Sequence, residues 1–362
     1  MKILLKLFFL VVLPFAILSS CNEAVKETAK VVEGNPNVIL LIGDGMGLSE
    51  LSAAFYYGDK DPVFTRFREI GLMKTSSSKE EVTDSAAGAT ALSCGKKTYN
   101  GAMGLDSDST IIENIVEILS MRGYNTGVIS TSSVTHATPG AFYAHVPSRR
   151  MQYEIAEQLV TSEIDFFAGG GTKWFSNRED GKDLITALEK NGFVINQEYG
   201  KDFQPGNKYG YLLAENGMPT MLENRGDFLP DYTKLALDYF TSLDENFFLM
   251  IEGSQIDWGG HDRNADYLIA ELLDFNKAAK VAMKYAEEHE NTLVIVLADH
   301  ETGGFTLAGK NGGYEVIEPA FATSGHSATL IPVFAYGPSE DSFKGIYENT
   351  DIFHNIIAAT SN

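Results

Sequence analysis

Residues 37–47 read NVILLIGDGMG, an apolar run that ends in a glycine-rich turn around one carboxylate, Asp44. A short, continuously apolar run is typical of a strand that is buried on both faces of a parallel sheet. Further β-rich apolar runs occupy residues 126–130, 164–168, 247–251, 292–298 and 332–336. Segments with helical periodicity occupy residues 111–121, 151–160, 184–190, 232–242 and 267–288. This alternation predicts an α/β fold with a mostly parallel, two-sided sheet.

The chain after Gly34 shows no internal repeat and no low-complexity linker. We therefore predict a single domain over residues 37–362, although this length lies at or above the usual ceiling for one hydrophobic core. Residues 306–323 have weaker periodicity and are predicted to form an excursion at the functional edge of the sheet. In open α/β sheets ligands bind beyond the carboxyl ends of the strands, so the residues that follow each strand are the candidates for function.

The composition excludes some classes of function. The chain has 28 Lys and Arg against 49 Asp and Glu, which gives a formal net charge of −21 at pH 7. Binding to nucleic acid or to an anionic lipid surface depends on clustered basic side chains, so we predict no nucleic-acid-binding surface. With 44% hydrophobic and 21% charged residues, the chain is predicted to be globular rather than disordered.

The first twenty residues predict export. Lys2 and Lys6 precede an apolar run over residues 7–18, and small residues follow it, as in a secretory signal peptide. Residues 18–21, LSSC, resemble a bacterial lipobox, in which Cys21 becomes the lipidated first residue and anchors the protein to a membrane. The alternative is an ordinary signal peptide, a chance cysteine and a periplasmic product. Residues 21–36 are then a tether.

Polar side chains that could hold metal ions follow three of the predicted strands, and one more, His326, precedes the predicted strand at residues 332–336. They are Asp44, Glu252, Asp257, His261, Asp299, His300 and His326. Carboxylate oxygens combined with imidazole nitrogens suit zinc, whereas sites with oxygen ligands alone suit magnesium. A Gly-Asp-Gly sequence is by itself usually only a turn, and Asp257 with His261 could be a pair on a helix surface. Their occurrence together at one sheet edge predicts a metal centre.

Residues 82–92, VTDSAAGATAL, supply a candidate nucleophile. Asp84 suits a helix N-cap, and this places the hydroxyl of Ser85 among the free N–H groups of a helix N-terminus, where anions bind. A capped structural helix is the alternative. Serine is a weak nucleophile unless a base or a metal takes its proton, and the chain has no Gly-x-Ser-x-Gly elbow. Metal coordination is therefore the favoured activator.

Six motifs, in order, resemble those of the alkaline phosphatases. They lie at residues 43–47, 83–90, 136–139, 252–261, 298–300 and 325–327. The resemblance runs from about residue 37 to the C-terminus and is that of a compact bacterial member. It implies a three-layer sandwich with a central, mostly parallel sheet and a small crown insertion. It also implies a homodimer.

The resemblance implies a role for each matching residue. Ser85 would be the nucleophile that forms a phosphoserine intermediate, and Arg149 would grip the phosphate, with Arg150 as the alternative register. The implied ligands are Asp257, His261 and His326 for one zinc ion, Asp44, Asp299 and His300 for a second, and Asp44, Thr138 and Glu252 for a third metal, normally magnesium. The implied reaction is hydrolysis of phosphate monoesters to inorganic phosphate and an alcohol at alkaline pH.

Two positions depart from the best-known bacterial pattern of this family. His136 stands where that pattern has an aspartate, so the third metal could be zinc or cobalt instead of magnesium, or could bind with lower occupancy. Trp258 stands where that pattern has a lysine, and loss of this positive charge near the phosphate should weaken product binding.

Three other functions are alternatives to phosphate monoester hydrolysis. A sulfatase would need a Cys-x-Pro/Ala-x-Arg motif, but Cys94 is followed by Gly-Lys-Lys-Thr. A phosphodiesterase of the same superfamily typically lacks the residues of the third metal site, whereas Thr138 and Glu252 are present. A non-catalytic, metal-binding lipoprotein would explain the ligands but not a serine at a helix N-terminus beside them.

Overall fold

The computed structural model describes residues 34–58, 61–176, 178–200 and 202–361. The predicted signal peptide, Cys21 and most of the predicted tether lie outside these residues. Within them, no helix combines the length and the apolar character that crossing a membrane would require.

The described strands agree with the predicted apolar runs and add several shorter ones. They are β1 (Asn37–Gly43), β2 (Glu69–Lys74), β3 (Asn125–Ser133), β4 (Phe166–Gly170), β5 (Phe193–Asn196), β6 (Lys208–Leu212), β7 (Phe247–Gly253), β8 (Thr292–Leu297), β9 (Glu301–Thr302), β10 (Phe305–Gly309), β11 (Ile317–Phe321), β12 (His326–Ser327), β13 (Ile331–Tyr336) and β14 (Gly345–Glu348).

The described α-helices include all five of the predicted segments, although the segment predicted at 111–121 forms a shorter helix. They are α1 (Leu48–Tyr57), α2 (Ser85–Cys94), α3 (Ile115–Met121), α4 (Ala137–Gly140), α5 (Gln152–Thr161), α6 (Leu184–Lys190), α7 (Phe228–Thr241), α8 (Gln255–His261), α9 (Ala265–Glu288) and α10 (Thr350–Ala359).

A large sheet carries the site. Among the described residues it has ten strands in the order β14-β2-β13-β8-β1-β7-β3-β4-β6-β5. Strand β1 pairs in parallel with β7 and β8, and all three are almost entirely buried, as expected for central strands covered by helices on both faces. The predicted α/β class with a mostly parallel sheet is confirmed. Strand β13 runs antiparallel to both of its neighbours, β2 and β8.

Two small antiparallel pairs complete the sheet edge near the site. Strands β10 and β11 form a hairpin-like pair over the segment predicted as an excursion, with the rings of Phe305 and Phe321 5.2 Å apart. Strands β9 and β12 pair His326 with Thr302, and this register brings His326 next to the end of β8 although 25 residues separate it from His300.

Helix α2 packs closely on the sheet because its residues are small. All ten are buried, and a Cβ atom on Gly88 would lie 3.1 Å from Asp299 Cβ and 3.2 Å from the Asp299 carbonyl oxygen. The predicted N-cap is present, since Asp84 accepts a hydrogen bond from the Ala87 N–H at 3.0 Å. The first turn of α2 therefore lies against the strand end that carries Asp299.

A buried ion cluster joins α9 to the turn that precedes α7. Arg225 donates from Nη2 to Glu271 at 2.5 Å and to Asp274 at 2.8 Å, and from Nη1 to the Pro219 carbonyl at 3.1 Å. The side chains of all three ionised residues are 0–2% exposed. Burial raises the pKa of both carboxyl groups, while the neighbouring guanidinium acts in the opposite direction.

We predict that Arg225→Ala destabilises the protein by about 3–5 kcal/mol, because it leaves two buried carboxylates without their counter-charge. Thermal or urea unfolding of the purified variant measures this effect. Arg66→Ala is the matched control, because Arg66 pairs with Glu287 on the surface and should leave the midpoint nearly unchanged. Equal midpoints for Arg225→Ala and the parent protein would contradict the assigned role of the cluster.

Candidate active site

Ser85 is the first residue of α2 and is 1% exposed. Its Oγ lies 3.2 Å from His300 Nε2. The preceding residue, Asp84, accepts hydrogen bonds from the backbone N–H groups of Ala87 and Gly101 and from Arg149 Nη1 at 3.1 Å. The serine hydroxyl is thus fixed at a helix N-terminus, with a guanidinium held beside it.

Asp44, Asp299 and His300 form a fully buried cluster next to this hydroxyl. Their ligand atoms lie within 4.8 Å of one another, and His300 Nε2 is 3.4 Å from one oxygen of each carboxylate. Asp44 Oδ1 and Asp299 Oδ2 have no hydrogen-bond partner among the described residues. Burial and the neighbouring carboxylates raise the pKa of Asp44 well above its usual value and that of Asp299 to about 6. A divalent cation would compensate these converging charges, and the donor set fits zinc.

Asp257, His261 and His326 form a second cluster on the more open side of Ser85. Both imidazole Nε2 atoms face Asp257 Oδ1, at 3.3 Å for His261 and 3.5 Å for His326, and they lie 3.1 Å from each other. Each Nδ1 lies by a backbone carbonyl, that of Ser324 for His261 and that of Thr83 for His326.

The tautomers of these two histidines follow from those contacts. An Nδ1 beside a carbonyl must donate, which leaves each Nε2 of a neutral ring with a lone pair. Two lone pairs then face each other and a carboxylate oxygen, an arrangement that repels unless a cation lies between them. Such carbonyl contacts are also the usual way in which a metal-ligating histidine is oriented. Without a metal a proton takes the place of that cation: burial acts to raise the pKa of Asp257, but protonated histidines, with the hydrogen bond from His326 first, hold it below its usual value.

Thr138 and Glu252 lie on the far side of Asp44. Thr138 Oγ1 is 3.5 Å from Asp44 Oδ2, and Glu252 is fully buried, with Ser130 Oγ donating to its Oε2. Glu252 Oε1 has no partner among the described residues, and burial raises the pKa of this carboxyl to about 7. This set offers oxygen donors alone, the chemistry that suits magnesium.

His136 is the residue before α4, the helix that carries Thr138, and its ring contacts that of Trp258. Their rings meet edge to face with centroids 5.9 Å apart. His136 Nε2 lies 3.4 Å from Arg149 Nη2, and its Nδ1 is buried without a partner among the described residues. Burial and then the charge of Arg149 lower the pKa of His136 to about 3, so this ring is neutral at physiological pH.

The two arginines considered from the sequence lie in different surroundings. The Arg149 side chain is 26% exposed and points at Asp84 beside Ser85, while its backbone N–H donates to the Gly101 carbonyl. Arg150 is exposed, and its backbone N–H bonds Ser148 Oγ. The structure therefore brings Arg149 together with Ser85 and leaves Arg150 outside the cluster.

Comparison with known proteins agrees with this geometry. The family model described as alkaline phosphatase matches residues 35–324. The chain belongs to the alkaline phosphatase family. It is 31% identical to alkaline phosphatase 3 of Bacillus subtilis, over 96% of each chain, and 30% identical to the alkaline phosphatase of Escherichia coli, over 89% of this chain and 85% of that one.

Solved structures of alkaline phosphatases confirm the fold. The enzyme of the Antarctic bacterium TAB5 is 53% identical and superposes with a TM-score of 0.88, over 90% of this chain and 98% of that one. A variant of the TAB5 enzyme in which a histidine is replaced by aspartate has been solved with magnesium bound in its M3 site. The predicted alkaline phosphatase-like sandwich is therefore confirmed.

Hydroxyl groups that bond to the candidate ligands were missed by reasoning from the sequence. Thr302 Oγ1 donates to Asp257 and lies 3.2 Å from His300 Nδ1, and Ser130 supports Glu252. Thr302 lies two residues after His300, and a hydroxyl so close to a candidate ligand could have been identified from the sequence. Ser130 begins the polar run STSS at residues 130–133, where the end of a buried strand turns from apolar to hydroxyl-bearing.

Proposed function

We propose that the protein hydrolyses phosphate monoesters at alkaline pH through a phosphoserine intermediate on Ser85. The observation that carries this proposal is the position of Ser85 Oγ, at a helix N-terminus and 3.2 Å from His300 Nε2, because His300 belongs to both groups of converging ligand atoms, one with Asp44 and Asp299 and one with Asp257 and His326. The products are inorganic phosphate and an alcohol.

The proposed metal content is two zinc ions and one magnesium ion per chain. Asp257, His261 and His326 would hold the first zinc, Asp44, Asp299 and His300 the second, and Asp44, Thr138 and Glu252 the magnesium. When bound, the metals act as Lewis acids that favour the ionised serine hydroxyl, an ionised water and the charge on the phosphate. Magnesium in the M3 site of a TAB5 variant supports a third metal site of this kind, although that variant carries aspartate in place of a histidine and this chain has His136.

Side chains of the protein position the phosphoryl group and transfer it from the substrate to water. The Ser85 hydroxyl releases its proton to water, and its Oγ attacks phosphorus in line; the bond from phosphorus to the alcohol oxygen breaks, and the alcohol leaves with a proton from water. Water then attacks the phosphoserine, and the P–Oγ bond breaks to regenerate Ser85. Asp84 holds Arg149 through Nη1, and the N–H groups that contact neither Asp84 nor His136 are left for the non-bridging oxygens.

Two alternative functions explain fewer features of the site. A phosphodiesterase would not need a third oxygen-ligand set, whereas Thr138 and Glu252 both lie by Asp44. A non-catalytic metal-binding lipoprotein would not need a buried serine at the centre of the ligands.

Hydrolysis of p-nitrophenyl phosphate and of bis-p-nitrophenyl phosphate, each with and without EDTA, tests all three functions. We expect the monoester to be cleaved much faster than the diester and EDTA to stop the reaction. Equal or greater diesterase activity would contradict the monoester proposal, and no turnover of either compound by metal-loaded protein would favour the binding protein.

We predict that Arg149→Ala lowers kcat/KM for p-nitrophenyl phosphate by about 10²-fold, because a charge-assisted, two-point contact to the phosphate is lost. Inhibition by inorganic phosphate should weaken in parallel. Arg150→Ala is the matched control, since the neighbouring arginine is exposed, and it should change kcat/KM by less than about twofold. If the two variants had equal effects, or Arg150→Ala the larger one, the choice of Arg149 would be wrong.

We predict that His136→Asp increases the occupancy of the third site by magnesium. A neutral, buried imidazole offers nitrogen, whereas a carboxylate adds a hard oxygen donor and a negative charge next to Asp44 and Glu252. Metal analysis after dialysis against limiting magnesium measures the change, and His145→Asp, at a histidine bonded to Gly104 and Glu117, is a control outside the site. Unchanged magnesium content in His136→Asp would contradict the placement of the third metal.

We also propose that residues 1–20 direct export, that residues 21–36 tether a single domain over 37–362, and that lipid on Cys21 anchors the mature protein. Mass analysis of the mature N-terminus distinguishes this lipoprotein from a periplasmic protein. We propose that the protein is a homodimer. Apolar side chains exposed on α1, namely Leu48, Phe55 and Tyr56, support such an interface, which sedimentation of the purified protein would test.

A further inference from the structure

Residues 216–225 form a segment beside Trp258 that the proposed chemistry does not use. Gly217 lies against the indole: a Cβ atom on it would lie 2.8 Å from Trp258 Cη2 and 3.2 Å from Cζ3. The φ angle of Gly217 does not lie in the left-handed region that favours glycine. Contact with the indole, and not backbone conformation, is therefore what an added side chain would change at this position.

Hydrogen bonds to buried groups hold this segment next to Gly217. The Met218 N–H donates to the Thr131 carbonyl at 3.0 Å, and the Met218 carbonyl accepts from Gln255 Nε2 at 2.8 Å. Gln255 Nε2 also reaches the Thr131 carbonyl, and its Oε1 accepts from Tyr267 Oη at 2.7 Å. Gly217 is thus fixed to the end of β3 and to the start of α8, the helix that carries Asp257 and Trp258.

Ion pairs fix the C-terminal end of the segment, at Arg225. Arg225 binds Glu271 and Asp274 on α9 and the carbonyl of Pro219, and Glu271 also accepts the Met221 N–H at 2.7 Å. With both ends held by buried groups, the segment cannot easily move away from the indole. Trp258 in turn meets His136 edge to face, and His136 lies beside Arg149.

We propose that Gly217, held by these two anchors, is a positioning residue that sets Trp258 against His136 at the phosphate-binding edge of the site. Because Gly217 has no side chain, the outer edge of the six-membered ring of the Trp258 indole can lie against it. A methyl group there would displace the indole from its present position against His136, because Met218 and Arg225 keep the backbone in place. This inference rests on the proposed function for its effect on rate, but not for its effect on the indole.

Gly217→Ala in the metal-loaded enzyme tests the proposal. The chain has two tryptophans, so a Trp174→Phe background reports the emission of Trp258 alone. We expect the emission maximum or the acrylamide quenching of Trp258 to change, and kcat/KM for p-nitrophenyl phosphate to fall by about tenfold, as small displacements near a reacting group do. Gly200→Ala is the matched control, because its Cβ would meet nothing closer than 4.0 Å and its φ is also outside the left-handed region.

A double mutant separates positioning from a general structural effect. Phenylalanine lacks the outer ring edge that Gly217→Ala would strike, so adding Gly217→Ala to Trp258→Phe should change kcat/KM by less than about twofold. An additive loss in the double mutant would overturn the proposal, and so would an unchanged Trp258 emission in Gly217→Ala. If the parent enzyme failed to cleave monoesters, the proposed function would fall, while the emission change would still decide whether Gly217 positions the indole.

Discussion

Replacing Ser85 by alanine should lower kcat for p-nitrophenyl phosphate by about 10⁴-fold or more, because the covalent nucleophile is lost. The substitution removes one oxygen at the N-terminus of α2 and leaves the ligands Asp44, Asp299 and His300 in place. Zinc and magnesium content should therefore stay at the level of the parent enzyme. Steady-state kinetics and metal analysis on the same preparation measure both effects.

Ser93→Ala is the control for this prediction. Ser93 is buried on the same helix and donates to the Ala141 carbonyl at 2.7 Å. Its loss should lower the free energy of unfolding by about 1–3 kcal/mol, because a buried acceptor is left unsatisfied, with kcat changed by less than about threefold. Near-native turnover by Ser85→Ala would show that another group attacks phosphorus.

Removing the metals should abolish activity and lower Tm. Four buried carboxylates, Asp44, Glu252, Asp257 and Asp299, converge on the site, and the proposed cations would compensate their charge. Each metal present at a thousandfold excess over its Kd adds about 4 kcal/mol to the free energy of unfolding. EDTA treatment followed by calorimetry measures the loss, and zinc with magnesium should restore both Tm and rate.

The free energy of unfolding of the metal-free protein should change with pH in a defined direction. Burial raises the pKa of Asp299 to about 6 and that of Glu252 to about 7, above the values of an unfolded chain. The folded state then binds more protons than the unfolded state, so the free energy of unfolding falls as pH rises from about 4 to 7. Ser85→Ala, which keeps every ligand, should show the same fall in Tm on stripping. An unchanged Tm after complete metal removal would contradict the assigned ligand clusters.

The central strands could be predicted from the sequence because their burial leaves a simple signal. Residues of β1, β7 and β8 are apolar on both faces, and each run ends at a glycine or a charged side chain. Strand β2 alternates between exposed and buried residues, and β14 is exposed over half its length, so neither produces an apolar run. The antiparallel direction of β13 is set by the chain between it and β8, which has no signature in the strand itself.

Some features of the site could likewise be predicted from the local sequence, whereas others depend on tertiary packing. Carboxylates and histidines at strand ends could be identified as candidate ligands, because such side chains are costly there without a partner. The pairing of β9 with β12, which places His326 by His300, depends on a register that no local pattern specifies. The hydroxyls of Thr302 and Ser130 were missed because serine and threonine are common in strands and turns and become distinctive only beside a buried carboxylate.

Trapping of the covalent intermediate tests the central claim most directly. The metal-loaded enzyme is mixed with a phosphate monoester, quenched in acid within one turnover, digested and examined by mass spectrometry. We predict one phosphoryl group on Ser85 of the parent protein and none in Ser85→Ala. A phosphoryl group on another residue, or full turnover with no phosphorylated peptide under any quench condition, would contradict the account.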